Sequence, residues 1–95
     1  MNFTRQDNIK SIGIGMVHLL VEEIEKAPPV FAPNKTVVYF PRTQYVKVVF
    51  SQLASSSLYY LYIKDLAKTK YKSLIYSVRL NHDRDILIKL NDAKL

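Results

Sequence analysis

Apolar residues recur at helical spacing through the first quarter of the chain. Ile9, Ile12, Met16, Leu20 and Ile24 follow one another at intervals of three or four, and Val17 and Val21 widen the stripe. Thr4, with Asp7 three residues on, supplies a capping-box start, and Pro28 and Pro29 stop the run. The pattern predicts a helix over 5–26. The period then changes. Thr36–Phe40 and Tyr45–Phe50 are rich in Val, Tyr and Phe, as strands prefer. The four residues between them make an antiparallel hairpin the natural pairing. In the second run Val46, Val48 and Phe50 alternate with Tyr45, Lys47 and Val49, and the lysine marks the latter set as the outer face.

Residues 58–64 (LYYLYIK) follow a serine-rich loop and read two ways. Tyr59, Tyr60, Tyr62 and Ile63 favour a strand. Leu58, Tyr62 and Leu66, with Ser55 to Ser57 as caps and Lys68 and Lys70 at the far end, favour a helix. We place a strand there and keep the helix as the alternative. Residues 71–80 form the clearest strand. Leu74, Tyr76, Val78 and Leu80 are expected in the core, with Tyr71, Ser73, Ile75, Ser77 and Arg79 on the other side. Asn81 then caps a last helix over 82–93. Asp83 and Asp85 suit its first turn, Lys89 and Lys94 lie near its end, and Ile86, Leu87, Leu90 and Ala93 form its stripe.

No internal repeat or linker is visible, and 95 residues make a single α+β domain spanning 1–95. We expect a mainly antiparallel sheet of three to four strands, with an N-terminal and a C-terminal helix packed on one face. Such a sheet leaves its second face solvated or free to bind. Gly13 and Gly15 interrupt the first helix. Gly13 is read as a site of close approach by a neighbour, with a dimer contact or hinge as the alternative.

Charge is distributed unevenly. All seven tyrosines lie between Lys35 and Arg79, a stretch with eight basic residues and one acid, Asp65. It carries +7, and the flanks together carry −1, which gives the net charge of +6. Glu22, Glu23 and Glu25 oppose the dipole at the end of the first helix. They read as a solvated face or as a contact with the basic middle. Tyrosine and lysine in one segment, with acid at the ends, is the composition of a polyanion-binding surface.

No chemistry competes with that reading. There is no cysteine, so thiolate metal sites and cysteine nucleophiles are excluded. The absence of staples in so small a domain favours an intracellular, cytoplasmic setting. No run reaches the ~20 apolar residues of a membrane span, and no secretory signal is visible. His18 reads as a partly buried structural residue. His82, Asp83 and Asp85 are the one local cluster of His with acids, and a helix start explains the aspartates. A metal-dependent nuclease would need them joined by Glu22, Glu23 or Glu25. We expect no enzyme, no metal and no cofactor.

The residues expected to bind are Lys47, Lys68, Lys70, Lys72 and Arg79 on phosphates, with Tyr45 and Tyr71 stacking on bases. The function expected is largely sequence-independent binding of nucleic acid, DNA or RNA, by a chain that forms a homodimer. The alternative is a protein–protein interaction module, a dimeric adaptor or inhibitor of a host protein without nucleic-acid binding.

Ser77-Val78-Arg79-Leu80, followed by an Asn81-capped helix, is similar to the opening of a ribbon–helix–helix repressor. That family needs a second helix, for which no room is left before Leu95. In the stretches Leu58–Lys64 and Lys70–Tyr76 the chain resembles small uncharacterised proteins of hyperthermophilic archaeal viruses, particularly the rod-shaped ones. That resemblance implies a host-cytoplasm setting and assigns no residue a role.

Overall fold

The structure, a computed structural model, describes residues 4–27, 34–51 and 55–91, with side chains from position 15 onward. The Pro28-Pro29 stop, the connector at 30–33 and the end of the expected last helix lie outside the described residues. So do the side chains of Thr4 and Asp7 and the surroundings of Gly13. Gly15 has open space where a Cβ would stand.

The chain order is α1 (Thr4–Glu25), β1 (Lys35–Phe40), β2 (Tyr45–Phe50), α2 (Ser56–Lys68), β3 (Ile75–Leu80) and β4 (Asp85–Leu90). The four strands form one antiparallel sheet in the order β1-β2-β4-β3. The fold is therefore α+β, and α1, β1 and β2 lie where the periodicity puts them.

Two elements correct the sequence reading. Residues 58–64 belong to helix α2. Its buried stripe is Ser56, Tyr59, Ile63 and Leu66, a helical interval that brings Tyr59 and Ile63 to full burial. The expected C-terminal helix is strand β4. Ile86, Leu87 and Leu90 fit a helical stripe, but Ile86, Ile88 and Leu90 also alternate, and all three are buried. Between β2 and β3, a strand satisfies both edges of its backbone, and the β-branched Ile86 and Ile88 suit it. The second helix therefore lies in the middle of the chain, not at its end. Asn81 to Arg84 form the β3–β4 turn instead of a helix start.

The core lies between one sheet face and the helices. Val46, Val48, Phe50, Ile86, Ile88 and Leu90 meet Val17, Leu20 and Ile24 of α1 and Tyr59, Ile63 and Leu66 of α2. Tyrosines join α2 and the turn after it to α1. The Tyr59 hydroxyl donates to the Ile24 carbonyl, Tyr62 to Glu23 at 3.3 Å and Tyr71 to Leu19 at 3.4 Å. Two of these acceptors are among the last carbonyls of α1, which a helix cannot satisfy internally. Burial raises the phenol pKa of Tyr59 above its usual range, with Tyr62 and Glu25 adding to the effect. Tyr62 is raised for the same leading reason, then by Glu23 and Tyr71.

The architecture is an αββ unit used twice. β3 and β4 begin forty positions after β1 and β2, at 75 and 85 against 35 and 45. β2 and β4 share the same alternating burial. The buried positions 17, 20, 24 and 27 of the first unit recur, one residue short of that interval, at 56, 59, 63 and 66. Lys47 pairs with Leu87 at the centre of the β2–β4 ladder, so a pseudo-two-fold axis passes through the sheet there. The repeat is invisible in residue identities. It survives in spacing and burial because those are what the packing requires.

Candidate nucleic-acid interface

The sheet's outer face is set by register. Residues paired across an antiparallel ladder share a face. Thr36, Val38 and Phe40 of β1 lie opposite Val49, Lys47 and Tyr45 of β2. Those three in turn lie opposite Asp85, Leu87 and Lys89 of β4. Ser77 and Arg79 of β3 complete the row, opposite Lys89 and Leu87. None of these residues is buried, and among the described residues no helix covers them.

Cations and rings meet at one end of this face. Lys89 Nζ stands 4.7 Å from the centroid of the Tyr45 ring, within range of a cation–π attraction. Tyr45, Lys89, Tyr76, Ser77, Arg79 and Leu87 line a shallow depression of about 150 Å³. The acid on the face, Asp85, is engaged by Lys47 at 3.8 Å. Beside it, along the β3 edge, a groove of about 260 Å³ runs between α2 and β3, with Lys64 and Lys68 on its wall. Tyr76, 71 % exposed, borders both depressions.

A β-bulge explains the placement of Tyr76. Ile75 pairs with Leu90, but Ser77 pairs with Lys89, so Tyr76 is an extra residue on β3. The bulge reverses two expectations of strict alternation. Ile75 is buried rather than outward, and Tyr76 is exposed rather than in the core. Beyond it, Ser77 and Arg79 face outward as the sequence predicts. Leu80, expected in the core, lies opposite buried Ile86 but remains 37 % exposed at the strand end.

The expected site residues therefore divide. Tyr45, Lys47 and Arg79 share the outer face, and Lys68 lines the adjoining groove. Tyr71 corrects the expectation that it stacks on bases. It sits in the turn after α2, 4 % exposed, with its hydroxyl on α1. Lys70 is drawn to Glu23 of α1 at 3.8 Å, which is the contact between acidic helix end and basic middle. Lys72 stands exposed in the same turn. Lys89, Tyr76 and Lys64 were missed. Reading 86, 88 and 90 as a buried strand face would have put Lys89 outside.

His82 and Asp83 lie exposed in the β3–β4 turn, and His18, expected partly buried, is exposed on α1. Among the described residues no three His, Cys, Asp or Glu side chains converge as a metal site would require. No described helix is long and apolar enough to cross a membrane. Comparison with known protein families, curated proteins and solved structures finds no match.

Proposed function

We propose that the chain binds nucleic acid, holding an unpaired strand on the outer sheet face and along the β3 edge. The observation that carries this reading is the depression where Tyr45, Tyr76, Arg79 and Lys89 meet. Rings on an open sheet face accept unpaired bases by stacking, at about 1–3 kcal/mol each, whatever the base. Arg79, Lys89 and Lys47 stand where phosphates would pass, with Lys64 and Lys68 continuing the path around Tyr76. A duplex offers no base faces to these rings, so single strands are preferred. Binding is largely independent of sequence because no side chain here is fixed against a base edge.

Fluorescence anisotropy with single-stranded and duplex oligonucleotides across a salt series tests the reading. We expect tighter binding of single strands, weakening steadily as salt rises. No affinity for either form at physiological salt would refute it. A second reading, the protein-docking module, draws on a different surface. Leu58 and Leu61 of α2 and Leu19 of α1 are 48 %, 60 % and 53 % exposed on the helices. It predicts a stable protein partner that is lost on Leu61→Glu, with oligonucleotide affinity absent.

A further inference from the structure

The pseudo-symmetry gives the sheet two equivalent edges, β1 and β3, and the chain treats them differently. Exposed edge strands invite pairing with another chain, and bulges or flanking charges block it. β3 carries both devices. It has the bulge at Tyr76 and Arg79 in the strand, and Lys64 and Lys68 line its groove. β1 carries neither. Its register with β2 is unbroken over all six residues, and from Thr36 to Pro41 there is no charge. Thr36, Val37, Val38, Tyr39 and Phe40 are β-branched or aromatic throughout.

The free edge of β1 is also chemically complete. Ser51 N–H donates to the Asn34 carbonyl at 3.2 Å, which sets the phase of the ladder. Thr36, Val38 and Phe40 turn their backbone groups to β2, while Val37 and Tyr39 turn theirs outward. Among the described residues nothing pairs with those outward groups.

We infer that β1 pairs antiparallel with β1 of a second copy, about a two-fold axis at Val38, to give a continuous eight-stranded sheet. Val37 then exchanges backbone hydrogen bonds with Tyr39 of the other copy, and Val38 faces its own equivalent. Thr36 lies opposite Phe40, and Lys35 opposite Pro41, so no like charges meet. The edge offers no cation between Lys35 and Arg42 to hold an acidic peptide, which favours a second copy as the occupant. Six residues a side is a small contact, so association depends on concentration. Two copies of net charge +6 repel, and salt therefore strengthens the dimer. Salt weakens nucleic-acid binding, so the two processes separate by the sign of the response. The inference does not depend on the proposed function.

Sedimentation across a concentration series at two salt levels, with nuclease-treated protein, is the first test. We expect a monomer–dimer equilibrium that tightens with salt. Val37→Pro removes one outward N–H without touching the bonds to β2, and should weaken association at least about tenfold. A cross-link guards against that variant failing to fold. The chain has no cysteine, so Val38→Cys introduces a single thiol at the proposed axis. Non-hydrogen-bonded partners there are about 4.5 Å apart at Cα, within disulfide reach. Oxidation should give a covalent dimer, and Ser77→Cys on the other edge should not. A monomer at all concentrations, or cross-linking through Ser77→Cys but not Val38→Cys, would overturn the assignment.

Discussion

Lys89 and Tyr45 face each other across the β2–β4 ladder, with the ammonium 4.7 Å from the ring centroid. The cation occupies the ring face that a base would use. Binding under the proposed function therefore exchanges one partner for two, with a base stacking on the ring while Lys89 moves to a phosphate. Tyr45→Phe keeps the ring and should hold single-strand affinity within about twofold. Tyr45→Ala removes the platform and should cost about 1–3 kcal/mol, read as roughly a 5- to 150-fold rise in Kd. Equal losses for both variants would point to the hydroxyl and against stacking.

Under the proposed function the cations divide by where they stand. Arg79 lies on the outer face, whereas Lys70 is held by Glu23 on the helical side and Lys72 stands in the same turn. Each phosphate contact to a single strand contributes about 0.7 to the slope of log K against log salt. Arg79→Ala should lower that slope by about this amount and weaken binding of every sequence alike. Lys72→Ala should leave the slope unchanged. The reverse ranking would move the interface to the turn after α2.

Much of this surface was legible before any coordinates. The alternation in Tyr45–Phe50 fixes which side of β2 is wet, so Tyr45 and Lys47 were placed correctly, as was Arg79. What failed was local pattern where two periods fit equally well. Ile86, Leu87, Ile88 and Leu90 satisfy a helical stripe and a strand alternation together, and only the partners β2 and β3 decide between them. Lys89 was lost with that choice. Tyr71 was misplaced because it lies in the turn before β3, not in the strand, and Tyr76 for a different reason. A bulge adds one residue without leaving a compositional mark, so counting by twos puts Ile75 and Tyr76 on the wrong sides. Nor did the sequence reveal that tyrosine was serving α1 as a carbonyl partner.

That service makes stability sensitive to alkali. Tyr59 is fully buried, donates to the Ile24 carbonyl and ionises well above its ordinary value. A phenol whose folded pKa is raised stabilises fully below the unfolded value and loses that contribution as pH climbs toward the folded one. The unfolded phenol titrates near about 10, so the loss begins there, at up to about 1.4 kcal/mol per pH unit from this group. Tyr59→Phe should cost about 0.5–1.5 kcal/mol at neutral pH but show a flatter decline above pH ~10. Urea midpoints measured from pH ~8 to ~11 check this. Parallel declines in the two proteins would acquit Tyr59.

Deleting a residue from a strand normally throws every later side chain to the wrong face. At Tyr76 the expectation is opposite. Ile75 pairs with Leu90 and Ser77 with Lys89, so removing Tyr76 brings β3 into the unbroken register that β1 already keeps with β2. Ile75 and Val78 stay inward, and Ser77 and Arg79 stay outward. The deletion variant should fold, with a Tm within about 8 °C of the parent, the shift that about 1 kcal/mol gives a domain of this size. It should still lose single-strand affinity, because the ring bordering both depressions is gone. Deleting Val78 instead also cancels the bulge but sets Ser77 inward opposite Ile88, so it should cost more stability by putting a hydroxyl in place of an apolar side chain. Thermal denaturation of the two deletions side by side, followed by anisotropy on the Tyr76 deletion, distinguishes a bulge kept for binding from one the fold requires. A Tyr76 deletion that fails to fold would place the bulge among the structural needs of the sheet.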